Sequence, residues 1–329
     1  MYFQDQMKNN KLYKPFKPYL KGFLNVDEIH SLYYEVSGNP NGYPIIFLHG
    51  GPGGNVNDKC RRFFDPNFYK IILFDQRGCG KSKPFASLVN NTTNDIVEDV
   101  EKLRLHLNLD QVALFGGSWG TTVALLYAIK YPKNVSSMIL RGVFLSREED
   151  IDYLYHKGAS DFYPDVFEKY QNYVANYKGN NILERYYDLF INETNEAKVA
   201  EGLRLFANWE HCLISVKPHK EIKNTPRSIN KVKAIALLEC YYFVNKAFLK
   251  SDNYILENIN KIKDIKTFIV HGRQDIDTRP IGAYLLSKHL NNCTLEFVDT
   301  AAHTMWESKI TDKLVEKCNE LKQYLNKLK

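Results

Sequence analysis

Ser118 stands in Gly116-Gly117-Ser118-Trp119-Gly120, a G-x-S-x-G pentapeptide. A short apolar run, 111–115, leads into it, and a helix-like run, 121–131, leads out. Between a strand and a helix this pattern reads as a nucleophile elbow, a turn so tight that small residues must flank the serine. The turn lifts the hydroxyl clear of the backbone, where a base and a substrate can reach it.

A serine nucleophile needs a base, and the base needs an acid to orient it. In the elbow architecture the chain order is serine, acid, histidine, with each partner just beyond a later strand. Asp275 follows the apolar run 267–270 through His271-Gly272-Arg273-Gln274, and His303 follows 294–298 through Asp299-Thr300-Ala301-Ala302. Ser118, Asp275 and His303 are therefore the expected catalytic triad. Asp277 is a rival acid two residues further on, and Asp275 is favoured because it lies nearer the strand end. His271 is a rival base, but it precedes the acid in the chain. The oxyanion of acyl transfer needs two preorganised donors. Trp119 N–H, next to the nucleophile, is one. Gly51 N–H is the other candidate, in the His49-Gly50-Gly51-Pro52-Gly53 loop that directly follows the apolar run 44–48. Gly80-Lys81-Ser82 resembles the end of a phosphate-binding loop, but Asp75 stands where that motif needs glycine, so nucleotide binding is rejected.

These residues need a scaffold that delivers them to one place. Apolar runs at 44–48, 70–74, 111–115 and 137–140 end in turn residues, with helix-length stretches at 93–107 and 121–131 between the last three. Such alternation predicts a mostly parallel sheet with right-handed crossovers, flanked by helices. Residues 22–37 alternate loosely around Asp27-Glu28 and predict an antiparallel hairpin at the sheet edge. From 147 to 256 the pattern turns Tyr-rich and helical, and strands return at 267–270 and 294–298 before an amphipathic helix over 311–329. The expected architecture is an α/β core formed by residues 1–146 and 257–329. A mainly helical cap, 147–256, interrupts it and is far longer than an ordinary loop.

The chain has 329 residues, 44% hydrophobic and 25% charged, as in an ordinary globular protein. Its formal net charge is +6, but the lysines are scattered and form no nucleic-acid patch, so no nucleic-acid partner is expected. The six cysteines form no C-x-x-C pair and no zinc spacing, so neither metal nor cofactor is expected. The stretch 1–17 is polar and lacks the apolar segment of a signal peptide, and no run of about 18 apolar residues is present to span a membrane. A cytoplasmic location with reduced thiols is the corresponding expectation.

The motifs HGGPG (49–53), DQRGCGKS (75–82), GGSWG (116–120), LRGVF (140–144) and HGRQD (271–275) together resemble those of the proline iminopeptidases, serine exopeptidases of the α/β-hydrolase fold. The resemblance runs from about Phe23 to the end of the chain. It implies removal of an amino-terminal proline from peptides, with two cap glutamates holding the free amine; Glu210 and Glu239 match them. It also implies that Phe144 packs on the proline ring, and Arg141 shares that motif. Glu239 has independent support, as a charge within the otherwise apolar and aromatic run 237–245, which is costly to bury unpaired. An internal partner such as Lys246 would satisfy it equally well. The chain departs from the family at Ala302-His303-Thr304, where Gly-His-Ser is usual, and at Gln274, where an aromatic residue is common. Two other readings remain open on the residues alone. One is an esterase or amidase for small acyl substrates, which leaves the glutamates without a binding role. The other is a hydrolase fold used as a non-catalytic binding module.

Overall fold

The computed structural model describes residues 11–217 and 220–327, so the reading of 1–17 lies outside the described residues up to position 10, and that of 311–329 for its last two. The strands are β1 (Leu20–Asn25), β2 (Ser31–Gly38), β3 (Tyr43–Leu48), β4 (Tyr69–Phe74), β5 (Val112–Gly117), β6 (Val135–Arg141), β7 (Lys266–Gly272) and β8 (Cys293–Val298). They form one eight-stranded sheet in the order β1-β2-β4-β3-β5-β6-β7-β8. β1 and β2 pair antiparallel, as do β2 and β4, and the other neighbours run parallel. The hairpin predicted over 22–37 is therefore β1–β2, with Asp27-Glu28 in its turn. Parallel strands are covered on both faces and read as continuous apolar runs. Ile45, Ile46, Phe47 and Leu48 of β3 are all buried accordingly.

Two helices set the core around the serine. Helix α1 (Thr93–His106) starts on a capping box, in which Thr92 and Asp95 satisfy each other's backbone N–H groups. Helix α2 (Trp119–Lys130) is buried from Trp119 to Ile129, as expected for a helix that is apolar on all sides. It begins two residues before the predicted start, because Ser118 itself forms the cap and the chain turns into the helix without a linker.

Between β6 and β7 come α3 (Glu148–Tyr155), α4 (Pro164–Tyr173), α5 (Ile182–Asn192), α6 (Glu196–Leu213), α7 (Pro226–Val244) and α8 (Tyr254–Glu257). Aromatic stacking knits them together: Tyr170 stacks on Tyr186 at 4.7 Å and lies 5.8 Å from Trp209. Trp209 Nε1 donates to Leu154 O at 2.9 Å, tying α6 to α3. Helix α9 (Pro280–His289) crosses between β7 and β8, and α10 (Ser308–Asn326) closes the chain. Its apolar side, including Ile310, Leu314 and Leu321, packs with Phe47, Phe115 and Val270 on one sheet face; α1, α2 and the helices α3 to α8 pack in the cluster on the other. Registry aligns Leu48 with Gly116, Gly117 with Arg141 and Gly272 with Val298. The carboxyl ends of five parallel strands thus share one edge of the sheet, where open α/β folds place their ligands.

Candidate active site

Ser118 sits between β5 and α2 with φ 56° and ψ −128°, a left-handed conformation unusual for a side-chain-bearing residue. The flanking glycines are a steric requirement of that turn. A Cβ on Gly120 would lie 2.1 Å from Leu48 O, and one on Gly116 would lie 2.5 Å from Gly120 O. The 49–53 loop runs alongside: a Cβ on Gly50 would stand 3.1 Å from Ser118 Cβ. Gly51 lines the same cavity as Ser118. Gln76 holds this arrangement together. Its N–H donates to His49 Nε2 at 3.0 Å, its Nε2 donates to His49 O at 2.9 Å, and its Oε1 accepts from Trp119 Nε1 at 3.1 Å. Sequence reasoning gave Gln76 no role, although it stands in the 75–82 motif.

His303 Nδ1 lies 2.8 Å from Asp275 Oδ2. Asp275 also accepts from Thr278 N at 2.8 Å and from Thr278 Oγ1 at 3.0 Å. Burial pushes the Asp275 carboxyl up, but His303, His271 and the Thr278 N–H outweigh it and hold the group below the ordinary carboxylate value. His303 moves the other way. Burial lowers its proton affinity, Asp275 and Asp277 raise it, Arg141 lowers it, and the net result lies above the usual imidazole value.

The rivals occupy distinct places. Asp277 does not reach Nδ1; its Oδ2 lies 3.2 Å from His303 Nε2. His271 has both ring nitrogens engaged with backbone, Nδ1 accepting from Val143 N at 3.2 Å and Nε2 donating to Thr278 O at 2.8 Å. Burial lowers its proton affinity, so it stays neutral.

Arg141, the last residue of β6, is buried beneath the histidine. Its Nη1 donates to His303 Nε2 at 2.9 Å and to His303 O at 3.0 Å. Among the described residues no hydrogen bond joins Ser118 Oγ to His303. Burial lowers the Arg141 guanidinium to about 10.

Glu210 of α6 and Glu239 of α7 line one small cavity with Ser118, Gly51, Phe144, Asp277 and Thr278. Both Glu239 oxygens and Glu210 Oε2 are buried with no hydrogen-bond partner among the described residues. Burial, and then the neighbouring Glu210, push Glu239 well above the ordinary carboxylate value. Lys246 does not supply the missing charge, since it pairs with Glu148 on the surface. The apolar wall is formed by Phe144, Leu154, Tyr155 and Phe243, with Phe144 edge-on to Phe243 at 5.6 Å. Thr121 Oγ1 and Thr122 Oγ1 of α2 bind the Phe144 backbone and fix its position. The neighbouring Tyr241 and Tyr242 do not line the cavity. Tyr242 instead packs on Trp119 and donates to Asn91, and Tyr241 stacks on Tyr187 outside the cavity. Leu154, Tyr155 and Phe243 had no distinguishing signal, because aromatic residues are abundant throughout the cap.

A nucleophile elbow, an Asp–His pair and two glutamates with unpartnered buried oxygens thus meet beside one small chamber. The chain matches the α/β hydrolase fold family over residues 43–309. It is 42% identical to a proline iminopeptidase of Arabidopsis thaliana over 92% of this chain and 80% of that one. It is 39% identical to a proline iminopeptidase of Neisseria meningitidis over 95% of this chain and all of that one. Among solved structures it resembles an esterase of Exiguobacterium antarcticum, with a TM-score of 0.61 at 21% identity over 91% of this chain and all of that one. A proline iminopeptidase-related protein of Thermus thermophilus aligns with a TM-score of 0.55 at 20% identity, over 90% of this chain and 96% of that one. The structural likenesses speak for the fold, and the sequence relatives for the family. The chain belongs to the proline iminopeptidase family of α/β hydrolases.

Proposed function

We propose that the protein is a serine exopeptidase that releases an amino-terminal proline from peptides through an acyl-enzyme intermediate. The observation that carries this reading is the pair Glu210 and Glu239 in the chamber that Ser118 lines, where Glu210 Oε2 and both oxygens of the buried Glu239 have no hydrogen-bond partner among the described residues. Buried carboxylates are costly unless a cation or donor meets them. A protonated prolyl amine is such a cation, and the apolar wall headed by Phe144 suits the pyrrolidine ring.

In this mechanism Glu210 and Glu239 hold the amine, which sets the first carbonyl above Ser118. His303 takes the Ser118 proton through Nε2 as Oγ attacks the carbonyl. Asp275, on Nδ1, holds the ring's tautomer and stabilises its cation. Arg141 releases Nε2 for that transfer and keeps its bond to the His303 carbonyl. Gly51 and Trp119 N–H groups receive the oxyanion. His303 then protonates the departing peptide amine, and water, activated by His303, hydrolyses the prolyl ester. The chemistry draws on no metal or cofactor.

The same reading divides the chain into a catalytic core of residues 1–146 and 257–329 and a cap, 147–256, that carries both glutamates. It also assigns the enzyme to the cytoplasm, acting on peptides with a free amino-terminal proline. The six free cysteines support a reducing compartment. No helix among the described residues is long and apolar enough to cross a membrane.

Initial rates on prolyl arylamide and its N-acetylated form test the proposal. A preference of roughly 100-fold or more for the free amine is expected, because an acylated nitrogen leaves both carboxylates buried without a cation. Equal rates on the two would overturn the aminopeptidase reading and leave an esterase or amidase.

A further inference from the structure

Gln76 is almost fully buried, and the two ends of its amide go to the two segments that carry the oxyanion donors. Its Nε2 donates to His49 O at 2.9 Å, in the loop of Gly51, and its Oε1 accepts from the indole Nε1 of Trp119 at 3.1 Å. A carbonyl only accepts and an indole N–H only donates, so chemistry fixes which end of the amide faces which partner. The contact lies on the seam between loop and elbow. A Cβ on Gly120, the residue after Trp119, would stand 3.0 Å from His49 O.

The backbone of Gln76 acts on the same loop. Its N–H donates to His49 Nε2 at 3.0 Å, so the ring's proton sits on Nδ1, which donates to Gly50 O at 2.9 Å. Burial lowers the proton affinity of His49 against the pull of Asp75, and the neutral ring keeps Nε2 free to accept. Gly54 N, at 3.2 Å, is a second donor to Gly50 O. The Gly50–Gly51 peptide is trans, and across a trans peptide plane the C=O and the N–H point in opposite directions. The two bonds that hold the Gly50 carbonyl therefore also fix the direction of the Gly51 N–H, and Gly51 lines the chamber with Ser118.

We propose that Gln76 is a positioning residue of the reaction: acting directly on Trp119, and through His49 on Gly51, it sets the spacing and direction of the two N–H groups that receive the oxyanion. The proposal rests on the acyl-transfer reading above, in which those two groups are the donors. Gln76 does not line the chamber, so its effect falls on the transition state, where negative charge develops on the carbonyl oxygen, and not on binding of the amine. Preorganised donors stabilise that charge only from the correct position, and a displacement of about 1 Å can cost about 100-fold in rate.

The test uses Gln76→Met, which keeps the side-chain length and removes both amide bonds, and Gln76→Glu. Three readouts are taken: kcat and KM on prolyl arylamide, inhibition by pyrrolidine-2-boronic acid, and inhibition by pyrrolidine. The boronic acid forms a tetrahedral adduct with Ser118 and puts an oxygen at the oxyanion position, whereas pyrrolidine has no such oxygen. Gln76→Met is expected to lower kcat and weaken the boronic acid by a similar factor, about 30- to 100-fold, while KM and pyrrolidine inhibition stay within about twofold of the wild type. Gln76→Glu adds a pH signature. Burial and the adjoining Asp75, whose oxygens already accept from Val56 N and Lys81 N, favour the protonated form of an introduced carboxyl. Protonated, it donates to His49 O and accepts from Trp119 Nε1 as the amide does; ionised, it has no proton for His49 O. Its kcat relative to the wild type at the same pH is expected to be highest at low pH and to fall as pH rises. Pyrrolidine inhibition that weakens in step with kcat in Gln76→Met would make Gln76 a support of the whole chamber, and an unchanged kcat would show that the donors are set without it; either overturns the proposal. If Gln76→Met does not fold, a kcat ratio for Gln76→Glu that is independent of pH overturns it. A wild type that pyrrolidine does not inhibit, or that cleaves free and N-acetylated prolyl arylamide equally, would instead overturn the aminopeptidase reading, and the kcat and boronic acid comparison would still decide the role of Gln76.

Discussion

Arg141 Nη1 and His303 Nε2 are 2.9 Å apart, so the guanidinium donates to the ring nitrogen proposed to take the serine proton. Arg141 closes off that nitrogen in the resting site while Asp275 holds the opposite one at 2.8 Å. The cation also opposes Asp275 and Asp277, both of which favour a charged imidazole. Exchanging Arg141 for methionine removes that opposition, so His303 is expected to hold its proton more tightly. A neutral His303 is the working base. The acid limb of kcat/KM, already above the usual imidazole value, should therefore move to higher pH in Arg141→Met and to lower pH in Asp277→Asn. A pH–rate profile of each variant checks both directions, and a limb that stays in place in both would refute the coupling.

Ser118→Ala is expected to lower kcat by about 10⁴-fold or more, as in other triads where nucleophile, base and acid act as a unit. Turnover near the wild-type level would remove Ser118 from the mechanism. Stopped-assay rates with a prolyl arylamide measure this directly.

Glu239→Gln keeps the shape of the chamber and removes one charge. The expected loss in kcat/KM toward the free prolyl amine is roughly 30-fold or more, since breaking one partner of a buried charge pair costs at least 2 kcal/mol. Residual turnover of the N-acetylated substrate should be unchanged. A parallel loss on both substrates would mean that Glu239 supports the fold and does not read the amine.

Asp277→Asn should stabilise the folded protein at alkaline pH. In the folded chain the carboxyl titrates at about 8, against an ordinary value of 3.8. Between those two values the folded state binds more protons than the unfolded one, so the stability this group contributes is full below 3.8 and is lost as pH rises through 8. An amide does not titrate and escapes that loss. Thermal unfolding of both proteins is expected to show a Tm gain for the variant that is larger at pH 9 than at pH 5, at about 2–4 °C per kcal/mol. A gain that is the same at both would contradict the burial argument.

Glu307 joins the cap to the histidine loop. Its Oε2 accepts from Ala302 N at 2.7 Å, and its Oε1 accepts from Ser215 Oγ at 3.0 Å and Val216 N at 2.8 Å. Thr304 N donates to Ile214 O at 2.8 Å beside it. Glu307→Ala leaves these donors without an acceptor, and a destabilisation of about 1–3 kcal/mol is expected. Because Ala302 precedes His303, kcat should fall as well. Denaturant unfolding together with steady-state kinetics separates the two effects, and a variant unchanged in both would show that the contact holds nothing in place.

The elbow was legible in the residues because its causes are local. Gly116 and Gly120 are required by atoms within a few residues or on the adjoining strand, and Ser118 follows from the strand and helix on either side. The chain order of Ser118, Asp275 and His303, the 49–53 loop and the helical character of 147–256 were readable for the same reason. Periodicity and turn chemistry record short-range sterics. Helix starts were less exact: α2 begins at Trp119 and not at 121, because the serine itself caps the helix.

Other features have no local trace. Asp275 and Asp277 are two residues apart in the same loop, and only their placement around one imidazole assigns the first to Nδ1 and the second to Nε2. Glu210 and Glu239 lie on separate helices, and whether they meet depends on how α6 and α7 pack over the core. Lys246 is seven residues from Glu239 and seemed an available partner, yet it pairs with Glu148. The amino-acid sequence by itself determined the hydrolase scaffold, the serine and the family. Only the tertiary structure decided which carboxylates are buried without partners in the same chamber as that serine. Burial and charge pairing depend on contacts between distant segments, and composition and spacing do not encode those contacts directly.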